Sequence, residues 1–555
     1  MAKQVNSVPM TVSVTYDLND LPTAQHKAGL AGLLLQIDHM RGQGQLAPEY
    51  AFDEQSPDTK VTIHWTSAAT DSVFDAIYDA QRVLVRVKSK WTGATAVAEE
   101  DVEETVDGKM KKVKVFVYEV VQPKGTFLQQ YIVNSPDSWL KLWRDMLWSI
   151  PRGNPQSRQP FEQRANGTTC KEGPAAWNDL QKIEKARLKG QFVTGPVAGS
   201  LWLGAQAINA EGISFDGRLD QTLLLHFWCL TTMIFVPQVI SIDGESEFTG
   251  YALAIPEVSS LPLFMKAYRR LLAQLPGETR GFRPARAVID LAAQGALEYA
   301  DNLTRLVQDD VQKTSVRKAM NSLEFFHVAK IGNNVKTLAS GRIVPRDEVL
   351  RKYEFIVGKT GEQPPFGNPL FRRGLILALL TGMPWYRPFS SLFAEWPHHF
   401  FVQTDKSPSR LSWFWSDARE KFSQEFESMN QSPDDSPSDP QSLLIKLVHQ
   451  VVRNYVNERT KARSGIDPEK FKAGEKIEWN ALPKEFFEER KKVGESLFLE
   501  FRSRRDQAFI DHFAQTLFSS KQYLSEGQLT TLGQALLNQT DDVKTLTLIS
   551  LSANS

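Results

Sequence analysis

The sequence predicts an α+β protein: a mixed N-terminal α/β region with antiparallel strands, a helical middle, and a C-terminal helical bundle. Three observations carry this reading. Several segments in the first quarter of the chain alternate apolar and polar residues with the period of a strand, with helical segments between them. From about residue 262 onward, most long segments place apolar residues at helical spacing instead. The stretch SMNQSPDDSPSDPQS, residues 428–442, is rich in Ser, Pro and Asp and free of aliphatic residues, so it reads as an exposed linker before a last, nearly all-helical block. The expected division is 1–261, 262–428, a linker at 429–442, and a bundle at 443–555.

In chain order, MTVSVTYD reads as a strand, and DLPTAQHKAGLAGLLLQIDHM as a helix with Pro22 near its start. Strand then helix repeats at KVTIHW and DSVFDAIYDA. QRVLVRVKSK, residues 81–90, sets Val83, Val85 and Val87 on one face and Arg82, Arg86, Lys88 and Lys90 on the other. KKVKVFVYEV sets Val113, Val115 and Val117 against Lys112, Lys114, Phe116 and Tyr118. SPDSWLKLWRDMLWSI is a serine-capped amphipathic helix with three tryptophans. It runs into RGNPQSRQPFEQRANGTTCKEG, residues 152–173, where Phe161 is the only large apolar side chain. Structureless connections longer than about 12–15 residues are usually functional or disordered. A charged helix, WNDLQKIEKARLKG, follows, then the glycine-spaced QFVTGPVAGSLWLGAQAINAEG, and a hairpin turning at Asp243-Gly244. Beyond the linker, Leu444, Val448, Val451 and Tyr455 mark one helical stripe, and KEFFEERKKVGESLFLEFRSRRDQAFIDHF continues the helical pattern.

Composition narrows the function. At 555 residues with 41% hydrophobic content, the chain can fill two to four cores. Lys+Arg and Asp+Glu both total 65, so no global field draws it to nucleic acid or membrane, and any anion-binding surface is local. Cys170 and Cys229 form no CxxC pair, which fits a reducing cytoplasm. The run LLLHFWCLTTMIFVPQVI at 223–240 carries His226, two threonines and Pro237, and reads as buried core rather than as a membrane span.

Motifs for chemistry are sparse. GKT at 358–360 has Tyr353 where a phosphate-binding loop needs glycine. His398-His399 has no carboxylate or thiol at ligand spacing, and DQAFIDHF offers Asp506, Asp511 and His512 on an ordinary helix face. No catalytic residue, metal site or cofactor is expected.

Binding features are richer. In the 152–173 loop, Arg152, Arg158 and Arg164 suit phosphates, while Asn154, Gln156, Gln163 and Asn166 suit base edges; Gln206 and Asn209 in GAQAINAEG are of the same type. Arg86, Lys88, Lys90, Lys112 and Lys114 on the two basic strand faces, with Phe116 and Tyr118 interleaved, suit a nucleic-acid backbone and stacked bases. So do Arg453, Lys491, Arg502, Arg504 and Arg505 on the C-terminal helices.

DLNDLPTAQHKAGLAGLLLQID (17–38), LWRDMLWSIPRGNPQSRQPFEQRA (142–165), WLGAQAINAEGISF (202–215) and LLLHFWCLTTMIFVPQVISIDGESEFTGYALAIPEVSSL (223–261) together resemble the Cas-eight large subunit of a type I CRISPR Cascade complex, in the I-B or Myxan branch. The likeness is strongest over the first half of the chain. It implies a non-catalytic subunit of an RNA-guided defence complex. Such a subunit sits at the guide RNA 5′ handle beside the subunit that caps the backbone filament. It recognises the protospacer-adjacent motif in duplex DNA, promotes unwinding and R-loop formation, and supports recruitment of a separate helicase-nuclease, while the rest of the sequence is read by guide pairing. The resemblance further implies a C-terminal bundle like the Cascade small subunit, in some relatives also made from an internal start. Met429, the last methionine, would begin such a product of residues 429–555. Two other readings stay open: a structural scaffold without base contacts, including a transposon-associated one, and an unrecognised nuclease.

Overall fold

The computed structural model describes residues 10–106, 109–135, 137–204, 215–275, 279–280, 283–308, 315–332, 334–358, 364–404, 413–430, 440–473 and 476–555. The chain divides into two compact units: residues 1–237 with 249–347, and residues 238–248 with 348–555. The architecture is α+β, as the sequence predicts.

The first unit opens with an antiparallel sheet of β1 (Val12–Asp17), β2 (Glu49–Phe52) and β3 (Lys60–Trp65), ordered β1-β3-β2. Val12, Val14 and Tyr16 point inward, as do Val61, Ile63 and Trp65 opposite them. Thr23 caps α1 (Ala24–Gly42), its hydroxyl accepting from the His26 N–H. This helix is buried on nearly every side, and its glycines explain how. A Cβ on Gly29 would stand 2.2 Å from the Leu224 carbonyl oxygen, and one on Gly32 2.4 Å from that of Phe227. The backbone of 224–227 lies directly on the helix.

Helix α2 (Ser67–Ile77) leads to a second sheet, ordered β4-β6-β5, of β4 (Ala80–Val87), β5 (Ala98–Val106) and β6 (Lys109–Pro123). Ser138 caps α3 (Trp139–Ser149). The 152–173 segment, expected as an irregular loop, holds a helix instead: α4 (Pro155–Ala165), followed by α5 (Glu172–Arg187). Next come the short strands β7 (Thr194–Pro196) and β8 (Asp216–Arg218), which pair with each other.

The apolar run at 223–240 becomes a helical turn and the buried strand β9 (Met233–Ile240). A turn at Asp243-Gly244 brings β10 (Ser246–Phe248) back against the end of β9. No described helix is long and apolar enough to cross a membrane. β11 (Tyr251–Val258) pairs with β9 on one side and with β12 (Met320–Ile331) on the other. β13 (Asn334–Ile343) completes that sheet, exposed along all but its last residue. The hairpin of β12 and β13 falls inside the region expected to be mainly helical. Helices α6 (Leu261–Gln274) and α7 (Gln294–Gln308) bury the apolar positions of this unit's core.

The second unit is nearly all helix: α8 (Asp347–Val357), α9 (Pro369–Thr381), α10 (Phe389–Glu395), α11 (Phe414–Asn430), α12 (Pro440–Ser464), α13 (Lys484–Ser503), α14 (Asp506–Thr516), α15 (Glu526–Asn538) and α16 (Thr540–Asn554). Residues 359–360 of the GKT stretch lie outside the described residues. Helix α16 is the hub, packed against α11, α12 and α13, with Leu546, Ile549 and Leu551 buried there. Met429 falls in the last turn of α11, and residues 431–439 of the expected linker are outside the described residues.

Candidate nucleic-acid interface

Helix α4 forms because PRGNP is a stop and a start. The Arg152 N–H donates to Leu147 O at 2.9 Å, closing α3. Gly153 then passes so near the end of α3 that an added Cβ would lie 2.8 Å from Ser149 O. The Asn154 side chain caps α4 by accepting from Gln156 N at 3.0 Å, and Pro155 occupies the first turn, where its missing N–H costs nothing. The helix lacks an apolar stripe because only Pro160 and Phe161 are buried, with Phe161 wedged edge-on between Tyr78 and Trp148. That is why periodicity missed it.

The arginines expected to hold phosphates are tied into this fold. Arg152 is buried, stands 5.2 Å over the Tyr78 ring and donates to the Tyr78 hydroxyl at 2.7 Å. That hydroxyl also bonds His226 Nδ1 at 2.6 Å; burial first, then the Arg152 charge, pushes this imidazole down to about 3 and keeps it neutral. Arg158 donates to the carbonyls of Arg152 (2.7 Å) and Trp148 (2.9 Å) while lying over the Trp148 indole. Arg164 pairs with Asp75 at 3.0 Å. Among the amides, Gln163 accepts from Lys171 N and Asn166 accepts twice from Arg82; Gln156 alone of this set points into solvent without such a role. Gln206 and Asn209 lie outside the described residues.

The basic strand faces are not free fields of positive charge. β5, with the sequence AEEDVEETV, pairs antiparallel with β6 and sets Glu103 opposite Lys112 and Asp101 opposite Lys114. Lys114 reaches Glu99 at 2.5 Å, Arg86 reaches Glu100 at 3.0 Å, and Arg82 reaches Glu119 at 2.7 Å. Lys88 and Lys90 follow the end of β4 on the exposed surface. Tyr118 is buried under Trp91, ring centroids 4.4 Å apart, so it offers no face to a base; Phe116 is half-buried beneath Lys114. Sequence reading missed β5 and therefore the neutralisation.

One corner that sequence reading did not single out is better suited to nucleic acid. Beyond α5, Leu188 and Phe192 are 75% and 73% exposed, with Lys185 exposed in the last turn of that helix and Lys189 exposed just after it. Arg218 of β8 lies 4.0 Å over the Phe192 ring and pairs with Asp220 at 2.6 Å. Trp202 and Phe215, on either side of residues 205–214, meet edge-on at 4.8 Å. The available signal was the Phe192-Val193 pair between Gly190 and Gly195.

Of the C-terminal candidates, Arg502 donates to the carbonyls of Ala394 and Trp396, and Arg504 to that of Glu500. Arg505 is exposed and shares a hollow of about 460 Å³ with Arg502 and Lys544. Lys491 is half-buried on α13, apart from this hollow, and Arg453 lines a different cavity.

Family models match on both sides of this geometry: the type I-B CRISPR Cas8b N-terminal domain over residues 54–313 and the type I-B CRISPR Cas8b C-terminal domain over residues 320–554. The chain belongs to the type I-B CRISPR Cas8b family. It is a large subunit of a type I-B CRISPR complex, and its partners are other Cascade components. No curated protein matches the chain. The N-terminal Cas8b match spans α4, the β4-β6-β5 sheet and the Phe192 corner; the C-terminal match spans the Arg453 and Arg502–Arg505 clusters.

Proposed function

We propose that this large subunit recognises the protospacer-adjacent motif in duplex DNA and starts its opening at the Phe192 corner. The observation that carries the reading is the pair of exposed apolar side chains, Leu188 and Phe192, with Lys185 and Lys189 beside them in sequence and Arg218 over the Phe192 ring. Unstacking a base step costs about a few kcal/mol, and proteins that do it insert apolar wedges flanked by cations and amides. Guide pairing downstream then offsets the opened duplex. The subunit is non-catalytic in this reading, sits at the guide 5′ handle beside the filament cap, and supports docking of a separate helicase-nuclease.

The test uses the assembled complex and a motif-bearing duplex with 2-aminopurine beside the motif. Leu188→Ala with Phe192→Ala should leave duplex binding within about threefold and slow the fluorescence rise of opening by tenfold or more. Gln206→Ala with Asn209→Ala should erase the preference for the motif while sparing general affinity. An unchanged opening rate in the first variant rules out the wedge; an unchanged preference in the second leaves a scaffold.

A further product from Met429 belongs to the same proposal. A C-terminal tag on the gene should reveal a short band of 127 residues, lost in Met429→Leu. No short band, or one indifferent to the substitution, excludes the internal start.

A further inference from the structure

The second unit holds a cavity of about 540 Å³ between α11, α12, α13 and the end of α16. Three arginines converge on it, one from each of the first three helices: Arg419, Arg453 and Arg490. No Asp or Glu side chain is among the lining residues. Arg490 is buried, yet its acceptors are all neutral: Asn554 O at 2.9 Å, Asn554 Oδ1 at 3.0 Å and Asn457 Oδ1 at 2.8 Å. Arg419 spends one N–H on Ala553 O. Arg453 has no acceptor or carboxylate partner among the described residues.

Three guanidinium groups gathered around a partly desolvated hollow oppose each other and the fold. The cost is visible in Arg490, pushed down to about 9 by burial first and then by Arg419 and Arg453. The neighbouring His449, held at its Nδ1 by Ser550 and pressed on Phe422 at 4.0 Å, stays neutral for the same reasons. An anion entering the cavity relieves all three repulsions at once. Guanidinium groups in a fork arrangement match phosphate oxygens in particular.

The walls say more than phosphate. Arg419 lies over Trp415 and Arg490 over Trp479, and Phe487 stands at the mouth, 42% exposed. A volume of this size holds a drug-sized molecule rather than a bare ion. Exposed aromatic faces next to arginines are what a planar base stacks on.

We propose that this cavity binds a nucleotide, its phosphate held by Arg419, Arg453 and Arg490 and its base against Phe487. The nucleotide comes either free or as one unit of a single strand. The site is independent of the Phe192 corner, and isolated full-length chain without guide or duplex suffices to test it.

Titration calorimetry with 5′-dAMP, deoxyribose 5-phosphate and inorganic phosphate measures the two halves of the site separately. The expected order is dAMP tighter than deoxyribose 5-phosphate by at least tenfold. Arg453→Gln should weaken dAMP at least tenfold, and Phe487→Ala should weaken dAMP but not phosphate. A dT12 oligonucleotide that displaces dAMP marks the strand as the source; failure to displace it marks the free nucleotide. Equal affinity for phosphate and dAMP, no binding of either, or indifference to Arg453→Gln overturns the proposal. Thermal melting of the ligand-free chain adds a readout that a structural role would move the other way. Removing an unneeded like charge in Arg453→Gln should raise the melting temperature, and a fall would assign Arg453 to the fold instead.

Discussion

Arg158 is a staple. Its two charge-assisted bonds to main-chain carbonyls and its stacking on Trp148 close the α3–α4 corner. Arg158→Ala should therefore cost about 1–3 kcal/mol in a urea titration. Arg158→Lys should recover little, because an ammonium cannot bridge two carbonyls and stack together. Buried imidazoles set a pH dependence at the same scale. Burial pushes His26 down to about 4, and His226 and His449 to about 3. The unfolded chain takes up these protons near pH 6.5 and the folded chain does not, so stability is intact above that pH and lost as pH falls toward 3 to 4, by up to about 1.4 kcal/mol per unit per histidine. Asp417, raised by burial to about 6, works the opposite way: its contribution is present at low pH and lost as pH rises through 6. Burial raises Asp71 and Glu324 as well and lowers His39 and His512, which leaves the imidazoles in the majority; the melting temperature should drop between pH 7 and pH 5, and His226→Phe should flatten the drop. A flat profile in the parent chain would show that these rings are not buried neutral. None of this was legible from composition: an arginine's type is visible in sequence, but the free carbonyls that capture it at a helix end are not.

At the scale of elements, the legible pieces were those whose burial writes its own period. β1 and β3 alternate, α3 carries its serine cap and tryptophan stripe, and each was placed by that pattern alone. β5 escaped because Glu and Asp have low strand propensity, and what it faces is a row of cations across the strand pair rather than an apolar core. β12 and β13 escaped too, since MNSLEFFHVAKI has apolar runs that a helix could also bury. The charge pairing of β5 makes a clear forecast. Glu99→Gln, Glu100→Gln and Glu103→Gln together should unmask Lys112, Lys114 and Arg86, raise affinity for random DNA at low salt, and steepen the slope of log affinity against log salt by about 0.9 for each phosphate gained. An unchanged slope would mean that those cations never reach a phosphate.

At the scale of the molecule, the boundary between sequence and structure falls on the C-terminal bundle. Its helices were readable, yet the role of α11 as part of their cover was not, because the Ser/Pro/Asp stretch looked like the natural edge. A product of residues 429–555 would lack Trp415 and Phe422, which lie against the unit's core. Made alone, it should bind the dye ANS and self-associate in analytical ultracentrifugation, both suppressed when the 414–430 helix is supplied as a peptide. A monomer that leaves ANS dark would show that α12, α13 and α16 need no such cover.

β13 has one more consequence, for the behaviour of many copies rather than of one. It ends its sheet, so its outer row of N–H and C=O groups has no strand beside it among the described residues, and Val335 and Leu338 are open to solvent. The chain's formal net charge is zero, so long-range repulsion does not hold two copies apart. Concentrated stocks should cluster edge to edge near neutral pH, with added salt giving no protection. Leu338→Lys, at the residue left out of register between Thr337 and Ala339, should raise the concentration at which light scattering sets in.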